Sequence, residues 1–122
     1  MNRSQFSLWV KRLEEAWVKR DPDMAAGLCA LNVKYYEDPF QAPFIGRIAV
    51  KKIWEEVPKT QRDIHFSHDV IAIVSQTGTA HWIASYTTIS NGLRVELDGI
   101  FIVTLDKDGL CTEFHMWWNK KV

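Results

Sequence analysis

Phe6, Trp9, Val10, Leu13 and Trp17 recur at spacings of three and four, so one apolar stripe runs along a helix over residues 4–19. Asp21-Pro22-Asp23 then reads as an N-cap with proline in the first turn, and Met24, Leu28 and Leu31 supply the buried side of a short second helix. Residues 33–37 are β-branched and aromatic, a short strand ended by Pro39. After a loop punctuated by Pro43 and Gly46, Val50, Ile53, Trp54 and Val57 mark one face of a third helix over 49–57, which Pro58 stops. Beyond it the period changes to that of strands: 63–74, 79–90, 93–105 and 110–119. Turns are expected at Gln76-Thr77-Gly78, Asn91-Gly92 and Asp106-Lys107-Asp108-Gly109.

Three helices and a short strand followed by four long strands predict an α+β fold, with the helices covering one face of a curved, mainly antiparallel sheet. Long strands twist, and a twisted sheet capped by helices encloses a conical space that is either packed solid or left as a pocket.

The chain has 122 residues, the size of a single domain spanning 1–122. Fifteen basic residues balance fifteen acidic ones, and no basic run exceeds two residues, so a nucleic-acid partner is not expected. No secretory leader pattern opens the chain and no apolar run matches a bilayer, so neither secretion nor membrane insertion is expected; Cys29 and Cys111 read as buried, reduced thiols of a cytoplasmic protein. The six tryptophans are the unusual feature, because large rings fill cores and also line ligand cavities.

The candidate chemistry centres on Tyr35-Tyr36-Glu37-Asp38-Pro39. Asp38, walled by Tyr36, Trp54 and apolar side chains, would have its pKa raised by desolvation and act as a general acid or base. Equally, an aspartate before proline forms turns by accepting backbone N–H bonds. Tyr36 shares a strand face with Asp38 and either donates to a ligand or packs with its hydroxyl at the rim. Glu14 borders the stripe of the first helix, where it either faces Asp38 or is solvated. Glu96 and Asp98 share one face of a strand, either the pocket wall or the exterior. His65, His68, His81 and His115 lack metal-ligand spacing, so no metal is expected, although His81 would serve as an acid–base group if its strand turned it inward. No nucleophile elbow or phosphate loop is present, so neither covalent catalysis nor a nucleotide cofactor is expected.

The order of elements, with Tyr36-Glu37-Asp38-Pro39, Gly46…Val50…Ile53-Trp54 and Asp98-Gly99-Ile100-Phe101…Asp108-Gly109, resembles the SnoaL-like branch of the nuclear transport factor 2-like superfamily. That group includes ketosteroid isomerase, limonene epoxide hydrolase, scytalone dehydratase and polyketide cyclases. The resemblance implies a cystatin-like, cone-shaped barrel of three N-terminal helices on a highly curved mixed sheet. It also implies no cofactor, and a homodimer formed through the outer sheet face. It carries the general-base aspartate of ketosteroid isomerase onto Asp38 and turns Phe114, Met116 and Trp118 toward the pocket. The partners of that base are not kept: the oxyanion tyrosine falls at Glu14, its supporting tyrosine at Trp54 and the second aspartate at Phe101. Asp98 would reach the pocket only if Gly99 made a bulge.

The expected site is therefore an apolar pocket for a small hydrophobic molecule. Trp17, Tyr36, Trp54, Phe101, Phe114 and Trp118 would line it, with Asp38 as its deepest polar group and Glu14 and His81 at its margin, and Asp38, Tyr36 and Asp98 would be the catalytic candidates. Two functions fit: a cofactor-free isomerase, dehydratase, cyclase or epoxide hydrolase, or a ligand-binding or interaction module without chemistry.

Overall fold

A computed structural model describes the chain from Met1 to Val122. The first helix, α1 (Arg3–Val18), opens with a capping box: the Asn2 side chain accepts the Gln5 N–H, and the Gln5 side chain accepts the Asn2 N–H, each at 2.8 Å. Its apolar stripe is buried as the periodicity predicts, with Ala16 added. α2 (Pro22–Ala26) is capped by Asp21, whose carboxylate accepts from the Met24 N–H at 3.1 Å.

The following strand begins earlier than expected. β1 (Cys29–Tyr36) takes in Leu31, which is exposed on the sheet edge and not part of a helix. β2 (Phe44–Ile45) pairs antiparallel with β1. α3 (Arg47–Trp54) starts after Gly46, whose φ of 96° favours glycine. The Arg47 guanidinium donates twice to the Cys29 carbonyl, at 2.8 and 2.7 Å, and so staples α3 to β1. Pro58 does not stop the third helix. It lies inside a fourth, α4 (Glu56–Thr60), near its start, where a missing N–H costs no hydrogen bond.

Four long strands complete the sheet: β3 (Gln61–Val74), β4 (Thr77–Thr88), β5 (Arg94–Leu105) and β6 (Cys111–Lys121). The first hairpin turns at Ser75-Gln76, with Ser75 at φ 56°. Gly78 is not a turn residue but a strand residue, and a Cβ there would sit 2.5 Å from the buried Phe6 ring. Gly92 and Gly109 do occupy left-handed turn positions. The strand order is β2-β1-β6-β5-β4-β3. β1 runs parallel to β6 and every other neighbour is antiparallel, so the sheet is mixed. That parallel pairing sets Cys29 directly beside Cys111, both buried as free thiols.

The helices lie on the concave face, and the core between them and the sheet is largely aromatic. Tyr35 stacks on Phe114 at 4.4 Å, Phe114 meets Phe101 at 5.1 Å, and Phe101 stacks on Trp82 at 4.8 Å. Trp82 and Trp17 are 6.0 Å apart, and Trp17 meets Trp54 edge-on at 5.9 Å. Such pairs contribute about 0.5–1.5 kcal/mol each beyond the area they bury. The outer face carries a second ladder, Tyr36 on His115 at 4.2 Å and His115 on Trp117 at 5.8 Å. No helix is long and apolar enough to cross a membrane.

Candidate functional site

The aromatic chain does not close on itself. It bounds a cavity of about 450 Å³ between α1, α3, α4 and the concave side of the sheet. Leu13 and Trp17 reach it from α1, and Ile53, Trp54 and Val57 from the third and fourth helices. Phe101, Phe114, Met116 and Trp118 reach it from β5 and β6. Trp118 is 46% exposed. Of the six rings expected to line the pocket, Trp17, Trp54, Phe101, Phe114 and Trp118 do so and Tyr36 does not.

The polar candidates are placed differently. From Val33 onward side chains alternate along β1, with Val33 and Tyr35 buried. Tyr35 and Glu37 therefore line the cavity, while Tyr36 turns outward onto His115. Asp38 is not among the lining residues. Its Oδ1 accepts the Phe40 N–H at 2.8 Å, the turn-forming use of an aspartate.

Asp98 and His81 share the outer face, where His81 Nε2 lies 2.7 Å from Asp98 Oδ1. Gly99 makes no bulge: β5 pairs with β4 in unbroken register from Thr104 to Arg94, so Asp98 has no means of rotating inward. Glu96 lies beside Asp98 and Lys121 in a shallow depression of that side of the sheet. Glu14 is half-buried at the edge of α1 and outside the cavity, close enough for its charge to act on His68. The expectation of an Asp38, Tyr36 and Asp98 constellation, with Glu14 and His81 at its margin, thus gives way to Glu37 and Tyr35. The signal for this was available in Val33: once that β-branched residue is taken as inward, the period of two carries Tyr35 and Glu37 with it.

Burial dominates the electrostatics. Desolvation raises the Glu37 carboxyl above the ordinary glutamate range. Burial also pushes the Tyr35 hydroxyl well above the usual tyrosine value, and the Glu37 charge adds to this, so Tyr35 is a neutral donor at physiological pH. Tyr86, another lining residue, is raised by the same desolvation. Other hydrogen-bonding groups are already engaged: Trp17 Nε1 donates to Gln61 Oε1 at 2.8 Å. The buried Trp82 Nε1–H, in contrast, meets no protein acceptor. No three His, Cys, Asp or Glu side chains converge as a metal-ligand set. The arrangement offers a mostly apolar molecule an aromatic enclosure with the half-buried Glu37 carboxyl in its wall, while the exposed Glu56 and Lys120 also border it.

The sequence model of the SnoaL-like domain matches residues 10–114. No curated protein sequence matches the chain. Several solved structures share its fold. The epoxide hydrolase/cyclase-like enzyme SalBIII, with a role in pyran ring formation in the polyether salinomycin, is 16% identical with a TM-score of 0.84; the match covers 100% of this chain and 99% of that one. RV0760c from Mycobacterium tuberculosis, in complex with estradiol-17beta-hemisuccinate, is 15% identical with a TM-score of 0.81, covering 97% and 98%. A protein of ketosteroid isomerase-like fold from Catenulispora acidiphila, in complex with trimethylamine, is 12% identical with a TM-score of 0.78, covering 89% and 83%.

Proposed function

The chain belongs to the SnoaL-like domain family, and from that premise we propose that it binds an uncharged, mostly apolar small molecule in the cavity and moves a proton on it, with Glu37 as the acid–base group. The observation that carries this is a carboxyl set in an aromatic wall with its pKa raised by desolvation. A carboxyl shifted upward is matched to proton transfer near neutral pH, better than an exposed aspartate is. The volume suits a compact organic ligand, and the fold neighbours seen with a steroid hemisuccinate and with trimethylamine support a small organic ligand in general. Nothing in this scheme calls for a cofactor.

The step is simple. A C–H proton next to a ligand carbonyl passes to the Glu37 carboxylate, and the developing negative charge on the oxygen is met by a neutral donor such as the Tyr35 hydroxyl. The proton then returns to the ligand at the same or a neighbouring carbon, leaving the enzyme unchanged.

The test is α-proton exchange of 1-indanone into deuterated water, followed by proton NMR. Wild-type protein should accelerate it, Glu37→Gln should abolish the acceleration, and Asp38→Asn should keep it. Loss in Asp38→Asn with retention in Glu37→Gln would overturn the assignment. Binding of the ketone with no acceleration by wild type would make this a ligand-binding member without chemistry.

The outer sheet face, where Trp117 is 41% exposed across from Ile100 and Ile83 is also exposed, is the surface we assign to a homodimer. Sedimentation equilibrium of wild type against Trp117→Lys tests it; a monomeric wild type would overturn it.

A further inference from the structure

We propose that Cys29 and Cys111 form a latent disulfide site: a chain that folds in the presence of a small-molecule disulfide such as oxidised glutathione closes a Cys29–Cys111 bridge that locks β1 to β6. This goes beyond the reading of the cavity and does not depend on it. The chain has only two cysteines. The fold brings them directly opposite each other in the parallel β1–β6 pairing, both buried and both free thiols.

Backbone bonds pin that pairing. The Cys111 N–H donates to the Leu28 carbonyl at 2.9 Å, the ladder bond expected when Cys29 lies straight across from Cys111. The Trp9 indole donates to the same carbonyl at 3.1 Å. The Arg47 guanidinium holds the Cys29 carbonyl with two further bonds, at 2.8 and 2.7 Å. Neighbouring strands stand about 4.8 Å apart, inside the roughly 4.4–6.8 Å Cα separation that a disulfide spans. Directly opposed side chains leave the sheet on the same side, and the two thiols lie within hydrogen-bonding reach of each other. Packing as a small apolar residue accounts for one buried cysteine at a time. It gives no reason for the two thiols of the chain, far apart in sequence, to meet.

Access decides when the bridge forms. Cys29 is 3% exposed and Cys111 0%, so no oxidant reaches them in the finished core, and the bridge closes while the chain folds. One cysteine thiolate attacks glutathione disulfide, giving a mixed disulfide and releasing a glutathione thiolate. The other cysteine thiolate attacks the protein sulfur of that mixed disulfide and expels the second glutathione thiolate. Two protein thiols and one glutathione disulfide thus become one cystine and two glutathione thiols, the protein losing two electrons. Kept in reductant throughout, both cysteines stay thiols, the state described above. The bridge closes a loop of roughly 80 residues, so it strongly restricts the unfolded chain. It also ties the seam at which β1 and β2 join the rest of the sheet.

The experiment refolds the reduced, full-length chain from urea into a buffer rich in glutathione disulfide, and separately into reduced glutathione. Mass spectrometry and acid peptide mapping identify the products. The oxidised arm should yield an intramolecular Cys29–Cys111 bridge, two hydrogens lighter, with no thiol for Ellman's reagent after unfolding. Its Tm should stand about 10 °C above that of the reduced arm. Across a series of glutathione ratios, the bridge should be roughly a hundredfold more favoured on refolding than in urea. Cys111→Ala should show no dependence of Tm on the buffer. Wild type that refolds in the oxidised arm with two thiols, or with glutathione left on either cysteine, overturns the proposal. So does a chain that folds only in the reduced arm, a bridge equally favoured in urea, or one that lowers Tm. Should Cys111→Ala not fold, the mapped wild-type bridge and its ratio between refolding buffer and urea decide the matter.

Discussion

Replacing Gly99 by alanine adds one methyl group at the point where three strands are closest. That Cβ would overlap the Trp117 carbonyl oxygen on β6 and press into Cζ2 and Cε2 of Trp82 on β4, at 2.7 and 2.8 Å. Neither obstacle is the free end of a flexible side chain. The oxygen belongs to a paired strand, and the indole is confined between Phe101 and Trp17. Overpacking of this kind costs about 1–3 kcal/mol, and a contact with backbone puts it at the upper end. Against this, losing glycine from a strand interior returns about 0.5–1 kcal/mol. Gly99→Ala should therefore lose about 2 kcal/mol, or roughly 8 °C in Tm for a chain of this length. Urea unfolding followed by tryptophan fluorescence measures it directly. A companion measurement in the Trp82→Phe background separates the two obstacles: if the indole is the main one, the alanine should cost at least about 1 kcal/mol less there. A Gly99→Ala protein within about 0.5 kcal/mol of wild type would refute this account of the sheet, and with it the idea that Gly99 exists to seat Trp82.

Three further outcomes are expected. A carboxyl that gains affinity for its proton on folding makes the native state less stable as pH rises from the ordinary glutamate range through the native value. The urea midpoint of wild type relative to Glu37→Gln should therefore fall over that interval; a flat difference would mean that Glu37 is solvated. Arg47→Met should lose about 2 kcal/mol through the two charge-assisted bonds to the Cys29 carbonyl, as seen by urea unfolding; an unchanged midpoint would show that α3 does not depend on them. The native protein should be silent to Ellman's reagent and release two equivalents on unfolding, because both thiols are buried and their contact with each other and with the core keeps Cys111 protonated; rapid native labelling would refute that packing.

Most of the architecture could be read from the residues alone. The stripe of α1, the Asp21 cap, the Asn91-Gly92 turn and the long alternating strands each rest on a local rule, and each was found in place. Trp17 and Trp54 were legible from the apolar stripes of their helices, and Phe114 and Trp118 from the family resemblance of the last strand. The polar site was not, because it hangs on the parity of one short strand. β1 starts at Cys29 and not at Val33, and its inward set is decided by which residue meets β6, a long-range contact for which Val33 was the one local hint. Pro58 misled for a related reason: proline ends a helix from its middle but is tolerated at its start, and only the break after Trp54 tells the two apart.

The position of β6 has a consequence for how the molecule comes into being. It sits between β1 and β5, so the half of the sheet that holds Glu37 is joined to the hairpins only by the strand made after all the others. During synthesis the aromatic lining has no roof on that side until β6 has left the ribosome. A nascent chain stalled before that point would leave Trp82 and Phe101 uncovered on that side.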